Sequence, residues 1–139
     1  MIAVDTSALM AIVLNEAEAD ACAAAIESED RLLISAGTVS EALIAAARRN
    51  LGEEMVRLID GLGLEIVSVT SASARRIAQA YAQWGRGAHP AGLNFGDCFA
   101  YEVAKEHRCP LLYVGEDFAR TDVEGALRSS AAPGGAGEG

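Results

Sequence analysis

The chain has 139 residues, 51% hydrophobic and only 5% aromatic, with 20 acidic against 11 basic residues and a formal net charge of −9. That length makes one domain, large enough to bury a core without disulfides or structural metal. The charge excludes a passive basic nucleic-acid binder, whose affinity comes from Lys and Arg neutralising phosphates, but not an enzyme that approaches nucleic acid through cations and a local Arg patch.

Strand-like apolar runs alternate with helical patterns, which predicts an α/β fold with a parallel sheet. Ile2 to Val4 reads as a short buried strand, and Thr6 and Ser7 can cap a helix running to about Leu14. An Ala-rich helix comes next over about Ala17 to Glu27, then a strand at Leu32 to Ile34. From Val39 the apolar positions Val39, Ala42, Leu43, Ala46 and Ala47 trace one helical face. That helix ends near Asn50-Leu51-Gly52, and another covers about Glu53 to Leu62. Ile66, Val67 and Val69 predict a strand, and Ser71 to Trp84 a helix.

Gly85 to Gly92 reads as a mobile loop by composition. It leads into a helix over about Phe95 to His107, ended by Pro110, and then the most apolar strand, Leu111 to Val114. An edge strand is expected around Val123. Residues 1–128 form the domain, and the Gly/Ala/Ser-rich 129–139 tail is expected to be disordered. Cys22, Cys98 and Cys109 lack C-x-x-C spacing and read as buried reduced thiols. The start has no basic n-region, and no stretch approaches the ~20 apolar residues of a membrane span, so a cytoplasmic protein is expected.

Four carboxylates stand where an apolar strand stops or a helix begins: Asp5, Glu41, Asp97 and Asp117. The carboxyl ends of parallel strands converge on one crevice, and acids delivered there from distant segments can share a hard cation suited to phosphoryl chemistry. Each also has a plain structural explanation. Thr38-x-x-Glu41 and Asn94-x-x-Asp97 are capping boxes in layout, and Asp5 and Asp117 can cap the elements that begin beside them. The explanations are compatible, because the helix dipole favours the anionic form that metal ligation requires. With no His or Cys partner, the set points to Mg²⁺ or Mn²⁺ rather than zinc. His89 is a candidate substrate contact; His107 reads as a helix-end cation.

The segments Val4-Asp5-Thr6-Ser7-Ala8-Leu9, Ser40-Glu41-Ala42, Leu93-Asn94-Phe95-Gly96-Asp97-Cys98-Phe99-Ala100-Tyr101 and Leu112 to Val123 resemble the PIN-domain family. Within it they are most similar to the VapC toxins of bacterial type II toxin–antitoxin modules. The resemblance covers residues 1 to about 125. It implies a three-layer α/β/α sandwich with a small, mainly parallel sheet of four to five strands. It also implies Mg²⁺-dependent RNA cleavage, with Asp5, Glu41, Asp97 and Asp117 as the acidic quartet. By the same resemblance the protein is a homodimer inhibited by a VapB-like antitoxin, whose tail lies across the acidic site.

For the chemistry, Asp5 and Asp97 are the leading metal ligands. Glu41 and Asp117 complete the set directly or through water, and either can orient the attacking water. Thr6 and Asn94 are either partners of those ligands or merely caps. Arg86 and Arg120 are the favoured RNA contacts, ahead of Arg48, Arg49 and Lys105, while Glu116 and Asp122 read as solvated acids. Two rivals stand beside the nuclease: a PIN-like scaffold that binds without cutting, and an Asp5-nucleophile phosphatase. The second lacks the Asp-x-Asp of haloacid-dehalogenase-like enzymes, since Ser7 fills the second position.

Overall fold

A computed structural model describes residues 1–127; the predicted tail at 129–139, and the domain boundary at 128, lie outside the described residues. The elements are β1 (Ile2–Val4), α1 (Thr6–Val13), α2 (Ala19–Glu27), β2 (Leu32–Ser35), α3 (Ala36–Ala47), α4 (Gly52–Gly61), β3 (Glu65–Val67), α5 (Ser71–Trp84), α6 (Phe95–Glu106) and β4 (Leu111–Leu112), then a 3₁₀ turn at Phe118–Arg120. The four strands are parallel in the order β3-β2-β1-β4, with Ala3 beside Leu33 on one side and Leu111 on the other.

The two-residue alternation of strands divides the core between the faces of the sheet. Ile2, Val4, Leu32, Ile34 and Leu112 pack with α1 to α4, whereas Ala3, Leu33 and Leu111 pack with α5 and α6. Small Ala residues (Ala8, Ala11, Ala42, Ala46, Ala100 and Ala104, each at most 1% exposed) let the helices lie close to so short a sheet. The result is the expected α/β/α sandwich. Strand order reverses at β1, and a parallel sheet opens a crevice at such a switch point.

Several local expectations are corrected. Helix α3 begins at Ala36 rather than Val39, capped by Ser35, whose hydroxyl accepts from Gly37 N at 3.1 Å. Glu41 therefore sits in the second turn, and the Thr38–Glu41 capping box does not form. Strand β3 stops at Val67, so Val69 lies outside it, and β4 is only Leu111–Leu112. The edge strand near Val123 reduces to one parallel bridge between Leu111 and Gly125. The 85–92 loop, expected to be mobile, is stitched by backbone bonds: Arg86 N to Leu93 O (3.0 Å), Leu93 N to Trp84 O (3.0 Å) and Gly92 N to His89 O (3.0 Å). Gly87 (φ 88°) and Gly92 (φ 62°) supply the left-handed residues that fold it back. Among the described residues all three cysteines are free and buried, and no helix is long and apolar enough to cross a membrane.

Candidate active site

Asp5 comes directly after β1 and is the N-cap of α1, so Thr6 and Ser7 are the first helical residues and not the cap. Its Oδ2 accepts from Ser7 N at 3.0 Å and from Ser7 Oγ at 2.7 Å. Its Oδ1 is buried and has no hydrogen-bond partner among the described residues. A buried carboxylate oxygen without a donor is costly. Burial accordingly pushes the Asp5 carboxyl up to about 7, against the opposing pull of the Ser7 bonds, with Asp97 and Glu41 adding repulsion.

Asp97 is held by a complete capping box: Asn94 N donates to its Oδ2 at 2.9 Å, and Asp97 N donates to Asn94 Oδ1 at 2.8 Å. Its carboxyl is raised to about 6, chiefly by burial and against the pull of the Asn94 bond, with Asp117 and Glu41 adding to the rise and Arg86 opposing it. Asn94 is thus both cap and clamp. Thr6 donates to Glu41 Oε1 at 2.7 Å and approaches Thr38 O at 3.4 Å, so it is a partner of an acid and not a cap. Glu41 lies against the backbone of Gly96, where any Cβ would collide with its Oε2. Asp117 is exposed and its side chain caps nothing.

Asp97 and Glu41 therefore both act on Asp5, Glu41 also acts on Asp97, and Asp117 acts on Asp97. Sequence reasoning missed Ser7 and Gly96. The Ser7 hydroxyl donates to Asp5 while accepting from Val114 N at 2.9 Å, stitching the ends of β1 and β4. Of the cationic candidates, exposed Arg86 feels Asp97. Arg120 Nη1 donates to Pro90 O at 3.3 Å, and Lys105 is committed to Asp122 at 3.2 Å. The His89 ring meets Trp84 edge-on at 4.7 Å, and its Nδ1 accepts from Ala91 N at 3.0 Å.

Among the described residues, no three Asp, Glu, His or Cys side chains stand ready as a closed metal group. Asp5, Glu41 and Asp97 each have one oxygen engaged by a neighbouring donor. The residues nevertheless fit a hard cation. The Asp5 oxygen lacks a partner, the donors are all carboxylates, and Mg²⁺ keeps several waters and needs only one or two protein carboxylates directly.

Comparison with known proteins decides the family: residues 2–124 match the PIN domain. The chain belongs to the PIN-domain family, among its VapC-like members. It is 41% identical over 128 residues to Ribonuclease VapC28 of Mycobacterium tuberculosis, covering 89% of this chain and 96% of that protein. It is 39% identical over 123 residues to Ribonuclease VapC30 of the same species, covering 86% and 94%. Its fold is similar to the crystal structure of M. tuberculosis VapC20, a Sarcin-Ricin loop cleaving toxin, with TM-score 0.73 at 14% identity over 88% of this chain and 96% of that one. It is also similar to a toxin–antitoxin complex from Klebsiella pneumoniae, with TM-score 0.66 at 19% identity over 88% and 93%. In this PIN domain Asp5 follows β1 at the sheet's switch point, and Asp97 and Glu41 lie within its electrostatic reach.

Proposed function

We propose that this PIN domain is a Mg²⁺-dependent endoribonuclease and the toxin of a type II toxin–antitoxin module, with Mn²⁺ able to substitute. One observation carries the reading: a buried, partnerless Asp5 oxygen within electrostatic reach of Asp97 and Glu41. The names of its VapC relatives support RNA as the substrate. Asp5 and Asp97 would hold the cation, with Glu41 and Asp117 completing the set. When bound, a divalent cation activates water and neutralises charge building on the phosphate. The chain's own contribution is positional. Thr6 turns Glu41, Asn94 fixes Asp97, and Ser7 fixes Oδ2 of Asp5, leaving Oδ1 for the cation. The exposed Asp117 carboxylate is free to take a proton from water, and Arg86 and Arg120 face the phosphates at the rim.

The test is cleavage of total RNA. Chelator should abolish it, Mg²⁺ or Mn²⁺ should restore it, and Ca²⁺ should serve poorly because its looser coordination positions water badly. Undiminished cleavage in chelator would remove the metal from the reading.

The partners belong to the same proposal. An apolar face carries exposed Phe95 (70%), Ile44 (58%), Tyr81 and Val69 around two hollows of about 550 and 420 Å³ that share Phe95 and Phe99, which suits a second copy of the chain. The acidic pocket in turn suits a basic side chain of a VapB-like antitoxin, through charge-assisted hydrogen bonds. Co-expression with the neighbouring gene's product should yield a complex built on a toxin dimer, with RNA cleavage suppressed. Replacing a basic residue in the antitoxin tail should weaken inhibition. A neighbour that neither co-purifies nor inhibits would end the toxin reading while leaving the nuclease.

A further inference from the structure

Among the described residues, Asp117 is the one acid of the quartet whose side chain no hydrogen bond holds, so its position is set by the turn that carries it. On one side of that turn the next residue, Phe118, is buried and packs on Tyr113 with ring centroids 5.2 Å apart. On the other side the chain reaches Asp122, and Asp122 is gripped from α6. Tyr101, only 8% exposed, donates its hydroxyl to Asp122 Oδ1 at 2.6 Å, and Lys105 Nζ lies 3.2 Å from Oδ2. Asp122 is exposed, as the sequence suggests, but it is also bonded from α6.

The same hydroxyl accepts from Trp84 Nε1 at 2.9 Å. Trp84 ends α5, and its ring meets His89 in the loop that also carries Arg86. An outer tie, Arg120 Nη1 to Pro90 O, joins the two loops directly. Tyr101 also lies four residues after Asp97 on α6, and residues at that spacing share a helix face. A residue needed only for packing could be Phe. A buried hydroxyl costs desolvation unless bonded, and this one is bonded on both sides, once to a carboxylate. Its proton stays put, since burial and the Asp122 carboxylate push it up to about 12.

We infer that Tyr101 is a positioning residue of the acidic site: its hydroxyl is the joint that holds helix α6, the Asp117 turn and the Arg86 loop in one register. This rests on the metal-dependent reading of the site, because what is being positioned is a ligand set.

The test uses the full chain in five forms: wild type, Tyr101→Phe, Asp122→Ala, Asp122→Asn, and Tyr101→Phe with Asp122→Ala. Each is measured by hydrogen exchange at the 116–121 amides and by Mn²⁺ titration, with RNA cleavage as a third readout. Tyr101→Phe should keep exchange in β1 and β2 unchanged, raise exchange at 116–121, and weaken Mn²⁺ binding roughly 10-fold, at the lower end of what outer partners of a metal site cost when removed. Cleavage should lose kcat with little change in KM. Asp122→Ala should reproduce the exchange and metal effects, Asp122→Asn should recover much of the loss because its amide oxygen still accepts from Tyr101, and Tyr101→Phe with Asp122→Ala together should be no worse than either alone. If Tyr101→Phe misfolds, the exposed Asp122→Ala alone decides. Wild-type exchange at 116–121 and wild-type Mn²⁺ affinity in the folded variants would overturn the inference. If RNA is not cleaved by any form, including wild type, the exchange and metal readouts still judge the joint while the nuclease reading fails separately.

Discussion

Asp97→Asn should yield a folded protein whose RNA cleavage in Mg²⁺ falls roughly 10²-fold or more, the scale of losing one preorganised electrostatic stabiliser of a transition state. The substitution is conservative in shape. Asp97 N would still donate to Asn94 Oδ1, and the new amide oxygen can accept from Asn94 N, so the capping box survives. What goes is a charge at the point where Asp117, Glu41 and Arg86 all act. Far-ultraviolet circular dichroism and melting temperature would establish folding, and single-turnover cleavage the loss. Wild-type rates in the folded variant would remove Asp97 from the chemistry.

The second large effect is on stability. Asp5 titrates at about 7 in the folded chain, against about 4 for an unperturbed aspartate. Between these values the folded state holds a proton that the unfolded chain has lost. The contribution to stability is therefore full below about pH 4 and is lost as pH rises toward 7. Asp97, raised to about 6, has the same sign. Metal-free protein should melt lower at pH 7.5 than at pH 5. Asp5→Asn keeps an acceptor for Ser7 and deletes the buried charge, so it should flatten that fall and melt about 3–8 °C above wild type at pH 7.5 in chelator, on the usual scale of ~1–2 kcal/mol. Mn²⁺ should raise the melting temperature of wild type at pH 7.5 and leave Asp5→Asn unmoved. A wild-type melting temperature that is level across this range, or an Asp5→Asn protein that melts lower than wild type at pH 7.5, would refute the assignment of strain to Asp5. Removing a ligand would thus stabilise the fold and silence the site together.

Sequence reading reaches furthest where local pattern and tertiary role coincide. Asn94 and Asp97 are three apart, so their capping box is visible in the letters, and it is also the clamp on a candidate ligand. The long helices α5 and α6 follow from periodicity, and the parallel sheet from alternation of element types. The start of α3 is not legible, because Ala36-Gly37 looks like a linker. Position 37 takes a glycine inside the helix because the Phe99 ring occupies the space a Cβ would need, a contact made between helices. The missed contributors share one property: Ser7 finds Val114 across 107 positions, and Tyr101 finds Asp122 across 21. No window along the chain joins such pairs. Lys105 reads as a candidate RNA contact for the same reason, since its partner Asp122 lies beyond the next strand.

The strand order also fixes when the protein becomes dangerous. Among the described residues β4 is the last strand in the chain, and it pairs with the first. A nascent chain stopped before residue 111 lacks both the Val114 amide that steadies Ser7 and the Asp117 carboxylate. Contacts of such long sequence separation form late and slowly, so the hydrolytic centre does not grow with chain length. The four acids can come together only once the ribosome has made residues 1 to 117.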